Sequence, residues 1–188
     1  MRNYSCLKKN IFKVNEFSLV PIREQDKFTI MKMRNEQTYH LRQNKQLTIE
    51  EQNNYFSNII SKLFQAEQPN QILFSFLKDN ECVGYGGLVH INWIDKNAEI
   101  SFIMKTKLEE KKFHFYWTIY LSLIEMVAFN QLQFCEINTY AYDLRPKLYC
   151  ALEDSGYIKK NQSNSNLILD NKPIKIIVHS KKNINENN

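Results

Sequence analysis

The sequence predicts an α/β fold in which a single mixed sheet of about seven strands is flanked by about four helices. The main observation is a βαβ unit: a strand-like run at residues 98–104, a long apolar helix, and a second strand-like run at residues 134–140. Strands joined through a helix lie parallel in one sheet. A second observation is the hairpin signal Asp79-Asn80 between two strand-like runs, which adds antiparallel strands.

The N-terminal region predicts a strand and a helix after a short extension. Residues 1–16 are expected to form an arm or an added strand. Residues 17–22 form the first strand, and Pro21 indicates either its end or an edge position, because proline has no N–H to donate. A helix is expected from Asp26 to about Arg34.

A second helix is predicted after a polar connector at residues 35–46. Thr48 and Glu51 have the spacing of a capping box, in which each side chain bonds to the other residue's backbone N–H. Apolar residues then recur at helical spacing. They are Tyr55, Phe56, Ile59, Ile60, Leu63 and Phe64.

Three glycines lie inside the second strand of the hairpin. Gly84, Gly86 and Gly87 invite comparison with a phosphate-binding loop, but no helix follows them and no Lys-Ser/Thr pair closes the pattern. They are therefore interpreted as a bulge or as a close approach between two backbones.

The central strand is apolar at nearly every position except Glu99 and Ser101, which predicts that both of its faces are covered. A charged loop is expected at residues 105–112, followed by the long helix. Two apolar stripes leave this helix only a thin polar line, so it is expected to be buried on two sides. The stripes are Trp117, Tyr120, Leu121, Ile124 and Ala128, and Tyr116, Ile119, Leu123 and Met126.

The C-terminal part predicts a short helix and a last hairpin. The helix begins near Asp143 and Pro146, and Gly156 suits the position just after its end. The elements expected after it are strands at 167–169 and 174–179, a turn at 170–172, and a disordered tail at 181–188.

The composition fits one globular domain, expected over residues 17–180, since 43% of the 188 residues are hydrophobic. The longest uncharged apolar stretch, residues 113–124, is shorter than the roughly 20 residues that cross a bilayer, so no membrane partner is expected. Four cysteines without a C-x-x-C pair predict reduced thiols in a cytoplasmic protein and no metal site. The net charge is +5, but scattered lysines do not form the basic stripe of a nucleic-acid-binding protein.

Three short motifs, in this order, resemble the GNAT superfamily of N-acetyltransferases. They are Leu19-Val20-Pro21-Ile22-Arg23-Glu24-Gln25-Asp26, Ala98-Glu99-Ile100-Ser101-Phe102-Ile103 and Glu153-Asp154-Ser155-Gly156-Tyr157. Residues 33–35, 41–43 and 174–180 look most like one branch of that superfamily. The branch contains ribosomal-protein N-terminal acetyltransferases and acetyltransferases of nucleotide-linked amino sugars used for bacterial surface polysaccharides.

The resemblance implies that acetyl-CoA donates an acetyl group to a primary amine. In this superfamily the pantetheine arm of the cofactor enters a splay between the central strand and the strand after the helix. It follows that backbone groups of Phe102, Ile103 and Met104 would pair with the arm, and Asn138 on the second strand is a further cofactor candidate. The pyrophosphate is expected at the amides of the loop after the central strand.

That loop departs from the superfamily pattern Gln/Arg-x-x-Gly-x-Gly/Ala. Phe115 and Trp117 stand at the glycine positions, so the close approach that glycine allows is missing. Basic side chains would supply the missing attraction for phosphate, or the aromatic residues simply pack the helix onto the sheet. The cofactor candidates in this segment are Lys111, Lys112, Phe113, His114 and Phe115.

Acetyl transfer needs a group that takes the amine proton and a group that stabilises the leaving thiolate. Glu99 stands where several relatives carry a catalytic glutamate, and His90 on the adjacent strand is the alternative base. The superfamily often places a tyrosine where this chain has Leu152, so Tyr149, one turn earlier, is the candidate acid. Purely structural roles for Glu99, His90 and Tyr149 stay open.

Four residues on connectors are expected to rim the acceptor side: Arg42, Gln43, Asn92 and Trp93. Arg42 suits a nucleotide phosphate, which it would bind with two parallel hydrogen bonds, and Trp93 suits stacking on a sugar or base. The alternatives are an ordinary surface charge and a hydrophobic plug.

The expected function is acetyl-CoA-dependent N-acetylation of a small primary amine, preferably an amino sugar on a nucleotide carrier. One alternative is a protein N-terminal acetyltransferase, which would have an open groove instead of a deep pocket. Another is a non-catalytic acyl-CoA-binding module with a degenerate pyrophosphate loop. The chain is expected to be a monomer or a homodimer.

Overall fold

The structure is a computed structural model and describes residues 2–43, 45–169 and 172–184. Within this part of the chain, eight strands form one mixed sheet in the order β1-β2-β3-β4-β5-β6-β8-β7. The strands are β1 (Phe12–Val14), β2 (Phe17–Pro21), β3 (Ile72–Lys78), β4 (Glu81–Asn92), β5 (Asn97–Met104), β6 (Glu136–Tyr142), β7 (Ile158–Leu169) and β8 (Lys172–Lys182). The predicted α/β class with a single mixed sheet is confirmed.

Within the described residues, the α-helices lie in four segments. They are α1 (Lys27–Glu36), α2 (Ile49–Tyr55) with α3 (Ser61–Leu63), α4 (Thr106–Glu125) and α5 (Pro146–Asp154). The wider turns Phe56–Ile60 and Met126–Gln131 continue α2 into α3 and extend α4. In the described part of the chain, no helix is long and apolar enough to span a bilayer.

The N-terminal extension contributes a strand, because β1 pairs antiparallel with β2. Pro21 is the last residue of β2, which lies between β1 and β3 and is not an edge strand. Asp26 precedes α1 without capping it; its carboxylate instead accepts hydrogen bonds from Arg23 Nε at 2.6 Å and Nη2 at 2.9 Å. The predicted capping box of Thr48 and Glu51 is present at the start of α2.

The glycines of β4 allow a close approach between elements, as predicted. A Cβ atom on Gly86 would lie 2.0 Å from the carbonyl oxygen of Ser101 and 2.6 Å from the hydroxyl of Tyr120. Because this space is free, the Tyr120 hydroxyl reaches the Ser101 carbonyl at 2.9 Å and ties α4 to β5. The turn Asp79-Asn80 has φ values of 47° and 67°, which suit the tight turn of the predicted β3–β4 hairpin.

Helix α4 covers the central strand but does not begin where the sequence predicts. Its Tyr120 ring stacks on Phe102 of β5 at 3.7 Å, with Trp117 at 4.9 Å from the same ring. The prediction of a loop at residues 105–112 is wrong, because a helix starts at Thr106. The helical geometry breaks only at Lys112 (φ −137°, ψ 29°), so α4 is two segments joined by a kink.

The C-terminal strand β8 pairs antiparallel with β6 and extends to Lys182, past the point where a disordered tail is expected to begin. Lys181 Nζ donates to Glu125 Oε2 and to the Ser155 carbonyl, both at 2.8 Å. The Asn183 backbone N–H donates to the Cys135 carbonyl at 2.8 Å. These contacts order the strand end. The rest of the predicted tail, residues 185–188, and positions 170 and 171 of the predicted turn lie outside the described residues.

Candidate active site

The central feature is a gap between β5 and β6. These parallel strands pair only over residues 97–99 and 136–138, and a cavity of about 440 Å³ opens beyond the last pair, Glu99 and Asn138. The Asn138 amide donates to the Ala98 carbonyl at 3.3 Å, which holds the two strands together where they begin to separate. The predicted splay is thereby confirmed, and the β6-facing backbone edge of β5 beyond Glu99 has no strand neighbour in the described chain.

Glu99 lies at the cavity wall with partners on both sides. Its Oε1 accepts from Arg42 Nη2, and its Oε2 lies 3.2 Å from His90 Nδ1. The Glu99 side chain is 14% exposed, whereas His90 is 66% exposed and has φ of 49° at an irregularity in the β4–β5 register. The structure therefore brings both base candidates and Arg42 into one cluster.

Arg42 is held over an aromatic ring as well as against Glu99. Its guanidinium lies 4.4 Å from the centroid of the Tyr140 ring, within the range of a cation–π interaction. The Arg42 side chain is 42% exposed, whereas that of Glu99 is 14% exposed. Arg42, a candidate for binding the acceptor, is thus in direct contact with Glu99, the candidate base.

Gln43 does not line the cavity but is hydrogen-bonded to an arginine that does. Its Oε1 accepts from Arg34 Nε at 2.9 Å, and its own amide donates to Asn35 Oδ1 at 3.2 Å. Arg34 Nη1 also donates to the Tyr85 hydroxyl at 2.6 Å, which fixes this guanidinium at the cavity. Sequence reasoning missed Arg34 because an arginine on a helix carries no local sign of what it faces.

The structure does not bring Asn92 and Trp93 to the cavity. The Asn92 amide donates to Asp95 Oδ2 at 2.7 Å within a tight turn. The Trp93 indole N–H donates to the Pro69 carbonyl at 2.9 Å, and its ring packs edge-on against Phe134 at 5.5 Å. In this position Trp93 has the contacts of a hydrophobic plug.

Tyr149 does not line the cavity. Its hydroxyl donates to Asp143 Oδ1 at 2.7 Å, and its ring stacks on that of His179 at 5.3 Å. Burial, together with the bond to Asp143, raises the pKa of this phenol, so it keeps its proton. A hydroxyl that does line the cavity is Thr139 Oγ1, which is buried and has no hydrogen-bond partner in the described chain.

The cofactor candidates on β5 lie on the strand that borders the gap. Phe102 lines the cavity, whereas the side chains of Ile103 and Met104 are buried. The Met104 carbonyl accepts from Gln37 Nε2 at 2.7 Å. The unpaired edge of β5 fits an extended arm with amide groups, because such an arm can bond to it as a further strand would.

The candidates around the start of α4 are spread over different surfaces. Lys111 and Lys112 are exposed, and His114 Nε2 lies 2.7 Å from Asp154 Oδ2. Phe113 is buried, whereas Phe115 is 49% exposed and packs edge-on against Phe17 at 5.8 Å. None of these five side chains lines the cavity, although Trp117, at the second glycine position, does.

A buried polar cluster beside the cavity was missed by sequence reasoning. Arg145 Nε lies 3.2 Å from Glu109 Oε1, and both side chains are 11% exposed. Arg145 Nη1 donates to His40 Nδ1 at 3.0 Å, and His40 Nε2 lies 3.2 Å from Gln37 Oε1. Burial and the adjacent arginine lower the pKa of His40 to about 3, so this ring is neutral. No sequence motif joins these residues, which come from three separate segments.

A mixed sheet opened between two parallel strands, with a carboxylate at the opening and a buried helix behind it, is the arrangement expected from the resemblance to acetyl-CoA-dependent acyl-transferases. The chain belongs to the GNAT acetyltransferase family, because residues 19–168 match the family model described as "Acetyltransferase (GNAT) domain". It is therefore an N-acetyltransferase, and its acetyl donor is acetyl-CoA.

Solved structures of other proteins share this fold. Spermidine N-acetyltransferase from Vibrio cholerae, in complex with CoA and spermine, has a TM-score of 0.75 and 14% identity, covering 90% of this chain and 97% of that chain. A probable acetyltransferase has a TM-score of 0.70 and 18% identity, covering 92% and 96%. At such identities the likeness concerns the fold. No curated protein sequence matches this chain.

Proposed function

We propose that the protein acetylates the primary amine of a small molecule that also carries a phosphate or another anionic group, such as an amino sugar on a nucleotide carrier. The observation that carries this proposal is the charge of the cavity. Among its described lining residues are three arginines, Arg34, Arg42 and Arg145, and one carboxylate, Glu99. A single carboxylate suits one amine, and the arginines suit an anion.

This charge balance argues against a polyamine acceptor. The similar Vibrio cholerae enzyme is a spermidine N-acetyltransferase. A polyamine carries several positive charges, and arginines in the same cavity would repel it. The amino-sugar branch of the superfamily is therefore the better proposal for this chain, and surface polysaccharide synthesis is the process that it suggests.

In the proposed reaction Glu99 acts as the general base. Its carboxylate takes a proton from the acceptor amine, and His90 at 3.2 Å offers a route for that proton towards solvent. Arg42 now occupies Glu99 Oε1, so the base becomes available when an anionic group of the acceptor draws the guanidinium away. Acceptor binding and base release are thus coupled through one side chain.

The leaving thiolate needs a hydrogen-bond donor beside the gap. Thr139 Oγ1 lines the cavity and has no partner in the described chain, so we assign it this part in the proposal. The Tyr149 hydroxyl keeps its proton and donates a hydrogen bond to Asp143. A role as acid requires that hydrogen bond to break. The acetyl-CoA arm would lie along the open edge of β5 near Phe102, with the transferable acetyl group towards Glu99.

The test is a transfer assay with acetyl-CoA and a panel of amines. The panel contains a nucleotide-linked amino sugar, the same sugar without the nucleotide, spermidine, and a peptide with a free N-terminus. Free thiol and the acetylated product are both measured. We expect the nucleotide-linked sugar to give the highest kcat/KM, and Arg42→Met to lower it for that acceptor more than for the free sugar.

Each of the other outcomes would support a different function. Preference for spermidine would overturn the argument from cavity charge, and preference for the peptide would support protein N-terminal acetylation. Binding of acetyl-CoA without transfer to any amine would support the non-catalytic acyl-CoA-binding module.

A further inference from the structure

We propose that the Arg145 guanidinium binds a phosphate group of acetyl-CoA, in place of the glycine-rich loop that this chain lacks. Until the cofactor displaces it, Glu109 is the ion-pair partner of this guanidinium. This inference rests on the proposed use of acetyl-CoA at the gap between β5 and β6. It concerns how this chain holds the charged end of the cofactor.

Arg145 lines the cavity and also contacts residues in the first turns of α4. Arg145 immediately precedes α5, and its guanidinium lies 5.1 Å from the centroid of the Phe113 ring and 5.7 Å from that of Trp117. Trp117 stands at the second glycine position of the superfamily pattern, and both Trp117 and Arg145 line the cavity. The Trp117 ring fills the space that a glycine would leave for a close backbone approach. The same ring packs against the Arg145 guanidinium, so a side-chain cation lies beside this position.

The guanidinium has unused hydrogen-bonding capacity. Its Nη2 and Nε atoms are buried and have no hydrogen-bond partner in the described chain, although Nε lies 3.2 Å from Glu109 Oε1. Glu109 Oε2 is likewise buried without a hydrogen bond. A planar fork with free donors matches the oxygens of a phosphate, which can accept two parallel bonds from it.

Glu109 has the character of an exchangeable partner. Burial raises the pKa of Glu109 and lowers that of Arg145, so both charges carry a desolvation cost that their attraction only opposes. Glu109 lies in the first segment of α4, and the kink at Lys112 separates that segment from the buried part of the helix. Moving Glu109 away from the guanidinium therefore displaces a short segment and leaves the packing on β5 intact.

The experiment compares two ligands that differ in their phosphates. Calorimetric titrations use acetyl-CoA and S-acetyl-pantetheine, which has the thioester arm but no phosphate. For Arg145→Met we expect affinity for acetyl-CoA to fall roughly 10- to 100-fold, the range of charge-assisted bonds to one group, and affinity for S-acetyl-pantetheine to change less than about twofold. Glu109→Gln should strengthen acetyl-CoA binding several-fold and leave the phosphate-free ligand unaffected.

Two controls keep the result decisive. Lys62→Met removes a cation from the exposed surface of α3, outside the cavity lining, and should leave both affinities unchanged. If Arg145→Met alone does not fold because Glu109 is left buried and unpaired, the double variant Arg145→Met with Glu109→Gln removes the whole pair and should show the same selective loss.

The outcomes distinguish this inference from the proposed function. An equal loss for both ligands, or no loss for acetyl-CoA, would overturn the role of Arg145 while acetyl-CoA binding itself stands. If the unmodified protein binds acetyl-CoA no better than S-acetyl-pantetheine, its phosphates are not held and the inference is overturned. If it binds neither ligand, the proposed function falls as well.

Discussion

Glu99 shows how a single side chain is prepared by its neighbours. Its two oxygens face different partners, the Arg42 guanidinium and the His90 ring, and its side chain is 14% exposed. Its position on the central strand could be predicted from the nearly continuous apolar run that surrounds it. The partners could not, because Arg42 lies 57 residues before Glu99 and comes from a connector without regular structure.

A glutamine at position 99 tests the role of the carboxylate as base. We expect Glu99→Gln to lower the acetylation rate roughly 100-fold or more at neutral pH, where most of the acceptor is an ammonium ion. The loss should shrink as the pH approaches the pKa of the acceptor, because solvent then supplies neutral amine. The measurement is a pH–rate profile of both proteins with saturating acetyl-CoA.

The matched control is Glu50→Gln, an exposed carboxylate on α2, which should leave the profile unchanged. An equal loss for Glu99→Gln at every pH would contradict the assignment and leave Glu99 as a structural partner of Arg42.

At the scale of elements, the sequence predicts strands and helices well where their periodicity is regular. The β5–α4–β6 unit, the β3–β4 hairpin and the splay all follow from such patterns and from the family resemblance. The start of α4 does not, because its first turns at residues 106–111 are charged and resemble a loop. They are stabilised instead by distant contacts, such as that of Glu109 with Arg145, which no local pattern records.

The capping box at α2 gives a prediction at this scale. Thr48 accepts from the Glu51 N–H at 3.2 Å, and the Glu51 carboxylate accepts from the Thr48 N–H at 2.9 Å. Thr48→Ala leaves the Glu51 N–H without its side-chain acceptor and should lower the free energy of unfolding by about 1 kcal/mol. Urea denaturation measures this change.

Ser57→Ala, in the wider turn after α2, is the matched control and should change the free energy of unfolding by less than about 0.5 kcal/mol. Similar losses in the two variants would indicate that the cap contributes nothing beyond the removal of a hydroxyl.

At the scale of the whole molecule, one buried cluster joins parts that are far apart in sequence. His40 follows α1, Glu109 belongs to α4 and Arg145 precedes α5, yet their side chains are in contact. This cluster ties the connector that carries Arg42 to the two helices beside the gap. The geometry of the site and the stability of the fold are therefore linked through a neutral histidine.

The state of His40 gives the last prediction. Burial, and then Arg145, lower its pKa to about 3 from the ordinary value of 6.5, so the folded protein leaves the ring neutral in weak acid while the unfolded chain protonates it. Stability is therefore complete above about pH 6.5 and is lost as the pH falls towards 3. At about pH 5 the loss from this group amounts to roughly 2 kcal/mol.

Urea denaturation at several pH values between about 7 and 5 measures this loss, since the difference between variants isolates one group. His40→Gln has no titrating ring, so its stability should fall by roughly 2 kcal/mol less than that of the unmodified protein over this interval. Ser57→Ala, which removes no titrating group, should follow the unmodified protein. Parallel curves for His40→Gln and the unmodified protein would mean that the ring accepts a proton in the folded state. Arg145 would then face a second cation, and the connector bearing Arg42 would loosen before the protein unfolds.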